Sequence, residues 1–403
     1  MVSAITGSAC QIWQQGAIIL EARMIKKVFP ILALSIFSSM LGSGIVVPLL
    51  PLYAESLGAT GVWLGVIFAG FSVSHALSTP VFGWLSDRRG RKLFLSIGLF
   101  CYAVISLGYI WADNILQLVL VRFLQGVAGG MIIPIAQTYV GDISPEGEEG
   151  KWMGYANAAF FSGFGFGPLM GGILTEHWGM DIAFFTMGGL NLLAFFIVIL
   201  FLPEISQKKL AAGPRLSFKE VSTSRIMLGL FSFRLTLTLG RAALFTFLPL
   251  FMAVGLGLRP TLIGILLAVS ILLLALLGIP SGRIADRFNR RALVVLGCLI
   301  SFTYLALIPL AHDFWQLLAL CALGSLGGAI AVPAASAMTV EEGRKYGMGS
   351  AIAMFSMALS IGMAIGPILG GAIVDFANIN SVFYFGAAMA LVGAGLFIWL
   401  TRS

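Results

Sequence analysis

Charge is scarce in this sequence. Only 10% of the 403 residues are charged, whereas 59% are hydrophobic, and the mean hydropathy is +1.00. Soluble globular domains carry about 25% charged residues. All 17 acidic residues fall in predicted loops or near the ends of apolar stretches. The shortage of charge excludes a soluble protein and predicts an integral membrane protein.

Motifs for catalysis and cofactor binding are also missing. The four cysteines do not have the spacing of a metal site or a disulfide framework. The sequence contains no phosphate-binding GxxxxGK[ST] loop, no His/Cys/Asp metal cluster and no paired carboxylates inside an apolar stretch. We therefore expect no enzymatic activity, no metal and no cofactor.

The apolar stretches are long enough to cross a membrane. Ten runs contain no charged residue, and two further runs, 114–140 and 226–252, are apolar except for Arg122, Arg234 and Arg241. A helix of about 20 residues crosses a hydrocarbon core of about 30 Å. Because the runs lack the alternation of barrel strands and lipid cannot satisfy an open backbone, they must be helices. The sequence predicts an all-α membrane protein with twelve transmembrane helices.

Basic residues are concentrated at one end of these helices. Threading twelve spans places 20 of the 24 Lys and Arg residues at that end and only Arg259 in a loop at the other end. Basic loops remain in the cytoplasm. We therefore predict a multi-pass protein of the plasma or inner membrane with both termini in the cytoplasm. The net charge of +7 reports this topology, and nucleic acid is not expected as a partner.

An internal repeat divides the chain in two. An offset of 199 residues superposes Asp87 on Asp286, Pro134 on Pro333, and segment 163–172 on segment 362–371. Two halves of six helices each face the same way and are related by an axis along the membrane normal. This predicts an N-terminal extension at 1–26, a six-helix bundle at 27–202, a cytoplasmic linker at 203–225 and a second six-helix bundle at 226–403. The extension is either an interfacial helix or a segment ahead of a start at Met24.

Four motifs carry a family resemblance. They are Gly83, Asp87, Arg88, Gly90 and Arg91 after the second span; Arg122, Gln125, Gly126, Gly129 and Gly130 in the fourth; Gly163, Gly167, Pro168, Gly171 and Gly172 in the fifth; and Leu41 to Tyr53 in the first. With them the chain resembles the major facilitator superfamily, and within it the twelve-helix multidrug and tetracycline efflux group. The resemblance implies two pseudo-symmetric six-helix bundles that transport by alternating access, with a proton as the coupled ion.

The loop after the second span is a candidate conformational latch. Gly83 and Gly90 allow a tight turn, and Asp87 can accept hydrogen bonds from a helix N-terminus, where the dipole favours an anion. The resemblance implies that this N-terminus belongs to the eleventh span, near residues 347–350. Asp142 either joins a charge network with the loop arginines or is a solvated helix end. The predicted latch residues are Gly83, Asp87, Arg88, Gly90, Arg91 and Asp142, with Asp286 and Arg287 in the second copy.

Glycines recur every fourth residue in the fifth and eleventh spans. Small residues at this spacing line one helix face and permit close packing without a ligand, while an internal proline bends a helix. We interpret the two helices as a seam on which the halves rock against each other. The residues are Gly163, Gly167, Pro168 and Gly171, and Gly362, Gly366, Pro367 and Gly370.

Two residues inside predicted spans are candidates for proton coupling. Arg122 occupies the position that the resemblance links to coupling, and its alternative role is structural. His75 is the one side chain within a span that titrates near neutrality, and its alternative role is a hydrogen-bonded packing histidine. Tetracycline-type exporters carry an Asp where this chain has Ser39, so no mid-membrane carboxylate is available as a proton carrier.

The spans expected around the central cavity carry a few scattered polar groups. An apolar pocket with few polar groups fits an amphipathic organic molecule, so we predict export of amphipathic small molecules by a monomeric transporter. Arg241 would instead suit an anionic or neutral ligand, or it holds a gate shut through backbone carbonyls. The alternative function is therefore an importer or facilitator of a small organic anion, ahead of a receptor or enzyme. The predicted cavity residues are Ser39, Ser43, Gln125, Gln137, Asn157, Arg241 and Phe245.

Overall fold

The structure is a computed structural model. It describes the backbone of residues 2–145, 148–204, 223–346 and 348–402. Side chains are described from Ile25 onward, except at 149, 150, 279, 283, 286, 346, 348 and 349. Most of the predicted linker therefore lies outside the described residues.

Twelve long helices form the described chain, which contains no strand. The first half has α1 Val2–Ser56, α2 Gly61–Arg89, α3 Arg91–Leu107, α4 Ile115–Ile143, α5 Glu149–Trp178 and α6 Met180–Phe201. The second half has α7 Arg225–Gly255, α8 Pro260–Arg287, α9 Arg290–Leu307, α10 Phe314–Tyr346, α11 Met348–Phe376 and α12 Ile379–Thr401. The predicted all-α membrane fold is confirmed.

Eleven of the described helices are long and apolar enough to cross a membrane. The remaining one, α3, has 17 residues, or about 25 Å at 1.5 Å per residue. The helix α4 is interrupted after Gly130 and resumes at Ile133. The helix α1 is continuous through the predicted N-terminal extension, and its span begins at Ile25.

Short turns join the helices, and the residues of these turns explain where the helices begin and end. Gly90 and Gly179 have φ angles of 104° and 90°, which favour glycine, and they separate α2 from α3 and α5 from α6. The side chains of Asn114, Asn289 and Asn378 accept hydrogen bonds from the first-turn amides of α4, α9 and α12. Antiparallel neighbours follow from such short connections.

The bundle has two ends that differ in how the halves meet. The end where α2 and α8 finish is called the basic face, and the end where α2 and α8 begin is called the opposite face. A buried apolar core built mainly from the first half also contains Ala243, Phe247 and Val382 of the second half, all near the opposite face. A second core, near the basic face around Phe233 and Met338, belongs to the second half alone among the described residues. The halves therefore share apolar packing at the opposite face.

Candidate functional site

Two pairs of helices close the opposite face. In the pair α2–α11, a Cβ atom added at Gly61 would collide with the carbonyl oxygen of Gly371, and one at Gly65 would collide with Pro367. In the pair α5–α8, a Cβ at Gly172 or Gly264 would collide with the backbone of Pro260 or Pro168, respectively. The backbones of the two halves thus touch directly, which only glycine permits.

Two carboxylates cross between the halves at the same face. Asp375, near the end of α11, accepts hydrogen bonds from the backbone amides of Gly61 at 2.6 Å and Val62 at 2.9 Å. Glu176, near the end of α5, accepts one from the amide of Thr261 at 3.1 Å and lies 3.7 Å from the guanidinium of Arg259. Each acid therefore binds the first turn of a helix in the other half.

The described acids at the basic face bind partners in their own half. In the first half, Arg91 bonds Asp87 at 3.0 Å and also bonds Asp142. In the second half, the related pair Arg290 and Glu341 lies 3.1 Å apart. The Asp87 side chain is 49% exposed, and within the described part of the chain it makes no bond to the second half. The structure thus brings Asp87, Arg91 and Asp142 together as one charge network, in which the Asp142 side chain remains 35% exposed.

The other predicted latch residues have different positions. Gly90 forms the turn, but the prediction for Gly83 is wrong, because it lies inside α2 with open space where a Cβ would be. Arg88 stacks on the ring of Trp84 at 4.0 Å, and Arg287 is exposed. The Asp286 side chain and Gly347, part of the helix N-terminus predicted to receive Asp87, lie outside the described residues.

The periodic glycines do not form the seam that the sequence predicted. Gly163, Gly167 and Gly171 face α1 of their own half, and Gly362, Gly366 and Gly370 face α7 of theirs. The contact between halves uses another face of the same two helices, where the predicted Pro168 and Pro367 lie together with Gly172 and Gly371. The prediction is corrected accordingly, because a helix that is glycine-rich on two sides can pack closely on both.

The two proton-coupling candidates meet at one aromatic ring. Arg122 lies over the ring of Phe71 at 4.4 Å, and His75 stacks on that ring with centroids 5.7 Å apart. Arg122 donates to Gln125 at 2.9 Å, and the hydroxyl of Tyr109 donates to the same Gln125 oxygen at 2.6 Å. The Nε of Arg122 is buried without a partner in the described chain. A buried cation held by neutral groups is the result.

A small cavity of about 30 Å³ lies in the second half between α7, α8, α9 and α10. Arg241 and Phe245 line it together with Ser270, Tyr304 and Ser325. The Arg241 guanidinium packs so tightly against Gly328 that a Cβ there would lie 2.7 Å from a terminal nitrogen. Among the described residues Arg241 forms no salt bridge. The cavity is therefore lined by a guanidinium that has no acidic partner in the described part of the chain.

The remaining predicted cavity residues do not line this cavity. Ser39 is 1% and Gln125 is 0% exposed, and Ser43 bonds the hydroxyl of Tyr102 at 2.8 Å. Ser39 and Gln125 are therefore buried inside the first half in this conformation, whereas Ser43 is half-buried. Gln137 is half-buried and Asn157 is exposed.

The residues that sequence reasoning missed are the two crossing acids. Glu176 and Asp375 are 199 residues apart, as are their partners Val62 and Thr261, so both acids obey the internal repeat. An acid conserved in position between the two halves, at the end of a span, is the signal that would have identified them. They were instead counted among the ordinary charges of span ends.

The described chain thus consists of two six-helix halves that are related by a sequence repeat and packed closely against each other at the opposite face. The Major Facilitator Superfamily model matches residues 32–250 and 230–403, and the chain belongs to this family. It is a multi-pass membrane transporter and not an enzyme.

Relatives and solved structures agree with this assignment. The chain is 28% identical over 375 residues to an uncharacterized MFS-type transporter of Methanocaldococcus jannaschii, covering 91% of this chain and 96% of that protein. It is also 28% identical over 375 residues to the quinolone resistance protein NorA of Staphylococcus aureus, covering 92% and 95%. In fold it is similar to a bacterial homolog of the human lysosomal transporter Spinster in an inward-facing and occupied conformation, with a TM-score of 0.81, 14% identity and coverage of 93% and 96%.

Proposed function

We propose that this transporter works as a monomer by alternating access and exports amphipathic small molecules in exchange for protons. The observation that carries the proposal is the contrast between the faces: Asp375 reaches across at the opposite face, while Asp87 and Arg91 pair within one half at the basic face. Such a transporter must have contacts that form in one state and break in the other. Similarity to a quinolone resistance protein over 92% of the chain supports a drug-like substrate.

We place the basic face in the cytoplasm of the cell that carries this protein. The excess of Lys and Arg in the loops of that face supports this orientation. The closed opposite face is then extracellular or periplasmic, and the conformation described above is the one that opens inward. Both termini are cytoplasmic in this arrangement.

The proton is coupled through Arg122 and His75 in our proposal. Their shared contact with Phe71 supports it, because a proton on His75 would place a second cation beside a buried one. Like charges repel more strongly in a low-dielectric interior than in water. Protonation would therefore push α2 and α4 apart at this ring and alter the packing of the first half.

Proteoliposome flux tests the proposal. With a fluorescent amphipathic cation or zwitterion as probe, we expect transport to accelerate when an imposed pH gradient drives protons in the opposite direction, and to slow when the gradient is collapsed with an ionophore. His75→Asn should reduce this acceleration, whereas His312→Asn, which changes an exposed histidine at the opposite face, should leave it unchanged. Flux indifferent to the gradient would contradict proton exchange.

A second candidate function is the facilitated transport of a small organic anion. Arg241 in the cavity of the second half, which has no acidic partner among the described residues, favours it, because a guanidinium binds carboxylates and phosphates in bidentate geometry. In the same proteoliposomes, gradient-independent flux of a carboxylate-bearing probe would support this function and contradict drug export.

A further inference from the structure

We propose that Glu176 and Asp375 form a paired latch that holds the two halves together at the opposite face. This helix-crossing latch consists of the two acids and the first turns that they bind, at Gly61–Val62 and Thr261, and it is distinct from the latch predicted at the basic face. The inference rests on the proposed alternating-access function, and it assigns to that function two residues that position the halves.

Each acid stands at the unfavourable end of its own helix. Glu176 is two residues from the end of α5, and Asp375 is one residue from the end of α11. The C-terminal end of a helix carries partial negative charge, so a carboxylate there is repelled, whereas the N-terminal end attracts it. The two acids therefore interact unfavourably with the dipoles of α5 and α11, and favourably with the dipoles of the helices that they bind in the other half.

The helices that receive the acids lack a cap of their own. The N-terminal residue preceding α2, Thr60, makes no side-chain hydrogen bond to the helix, and neither does Arg259 before α8. The first amides of a helix have no partner within it and need one from outside. Asp375 satisfies two of them in α2, and Glu176 satisfies one in α8. Separation of the halves would remove the cap from both helices at once.

The internal symmetry shows that the two contacts are one device used twice. Residues 62, 65, 168, 172 and 176 become 261, 264, 367, 371 and 375 when 199 is added, and the backbone contacts of the glycines follow the same rule. The copies differ in their number of amide donors, since Pro260 stands where the first half has Gly61 and has no amide hydrogen to donate. Asp375 should consequently be the stronger arm, and Glu176 is supplemented by the largely exposed Arg259.

The chemistry predicts a state-dependent contact. Charge-assisted hydrogen bonds from backbone amides to a carboxylate are stronger than neutral ones, and here they join segments whose separation is required for opening. The latch therefore favours the closed opposite face, and breaking it should favour its opening while leaving each half folded.

Spin-label distance measurement on the full-length protein tests this inference. Labels at Trp111→Cys and Trp315→Cys, which are 71% and 74% exposed and belong to different halves at the opposite face, report the separation in a background with the native cysteines replaced. We expect Asp375→Ala to raise the ratio of separated to closed molecules roughly tenfold and Glu176→Ala roughly threefold. Asp375→Glu keeps the carboxylate and should restore most of the closed form.

Matched controls are available at the same face. Asp113→Ala and Glu55→Ala remove exposed acids whose carboxylates accept no hydrogen bond among the described residues, and they should leave the distances unchanged. Equal distances in Asp375→Ala, Glu176→Ala and the controls would overturn the latch, even if wild-type proteoliposomes transport with the expected response to the pH gradient. Absence of any transport by the wild type alongside a shifted distance distribution would overturn the proposed function and retain the latch. If Asp375→Ala lowers the melting temperature, Asp375→Glu provides the decisive comparison. Failure of this carboxylate to restore the closed form would contradict the inference.

Discussion

The two faces of the bundle use the same kind of residue in opposite ways. At the basic face, Asp87 and Asp142 share Arg91 inside the first half, and Glu341 pairs with Arg290 inside the second. At the opposite face, Asp375 and Glu176 bind the helix ends of the other half. An ion pair within one half can form whether or not the halves touch, whereas a contact between halves stabilises only the conformation in which they touch. The location of a carboxylate's partner in this conformation therefore decides whether the carboxylate favours the closed opposite face.

The largest effect should come from filling the backbone contact at the closed face. Gly371→Val places a branched side chain against the carbonyl oxygen of Gly61, and the backbone on both sides leaves it no room. We expect transport to fall more than tenfold and the distance between labels at Trp111 and Trp315 to increase. Gly395→Val is the control, because open space surrounds a Cβ at that position. Normal transport by Gly371→Val would show that closure of this face is not needed.

An effect of intermediate size is expected at the basic face, where the two ion pairs should differ in how much they contribute to the free energy of unfolding. The Arg91 side chain is 9% exposed, while that of Arg290 is 32% exposed. Arg91→Gln leaves Asp87 and Asp142 close together without the cation between them, so we expect a loss of about 1–3 kcal/mol of unfolding free energy. Arg290→Gln should lose about 0.2–1 kcal/mol, as for a more exposed pair.

Thermal unfolding followed by circular dichroism in detergent measures this difference. Arg89→Gln, which removes an exposed arginine of the same loop, should leave the melting temperature unchanged. A larger loss from Arg290→Gln than from Arg91→Gln would contradict the view that the first half holds the tighter network.

The smallest effect should come from Asp87→Asn. In this conformation Asp87 bonds only Arg91 among the described residues and is half exposed, so the melting temperature should barely change. If Asp87 caps α11 in the other conformation, its loss should shift cysteine accessibility of the cavity by roughly two- to fivefold, the equivalent of about 0.3–1 kcal/mol at a helix N-terminus. An unchanged accessibility pattern from both sides of the membrane would exclude a role for Asp87 as a state-dependent contact.

Predictions from the sequence were most accurate for features that depend only on the neighbouring residues in the chain, such as backbone conformation. Gly90 was predicted to form a turn and does so with a φ angle of 104°, because a left-handed backbone is a local requirement. Gly83 was predicted on the same grounds and is wrong, since an isolated glycine also occurs inside helices such as α2. Pattern alone does not separate the two cases.

Prediction of the candidate site was weaker because it depends on which helices touch. The spacing of Gly163, Gly167 and Gly171 indicated a close helix contact, and a close contact exists, but with α1 instead of the other half. Similarly, Gln125 was expected in a cavity and is buried against Arg122 and Tyr109. The sequence shows that a helix face is apolar or built from small residues, but it does not show which helix packs against that face.

Hydropathy, the uneven distribution of Lys and Arg, and the 199-residue repeat determined by themselves that this chain is a helical membrane protein built from two like halves. They could do so because backbone groups in lipid must form their hydrogen bonds within their own helix. Each span is therefore determined by its own local sequence. Only the tertiary structure decided that α2 meets α11 and α5 meets α8, which face is closed, and that Glu176 and Asp375 reach across. Those features depend on how two separately folded halves are placed against each other, and an interface of glycines and two acids leaves almost no trace in the average hydropathy of its helices.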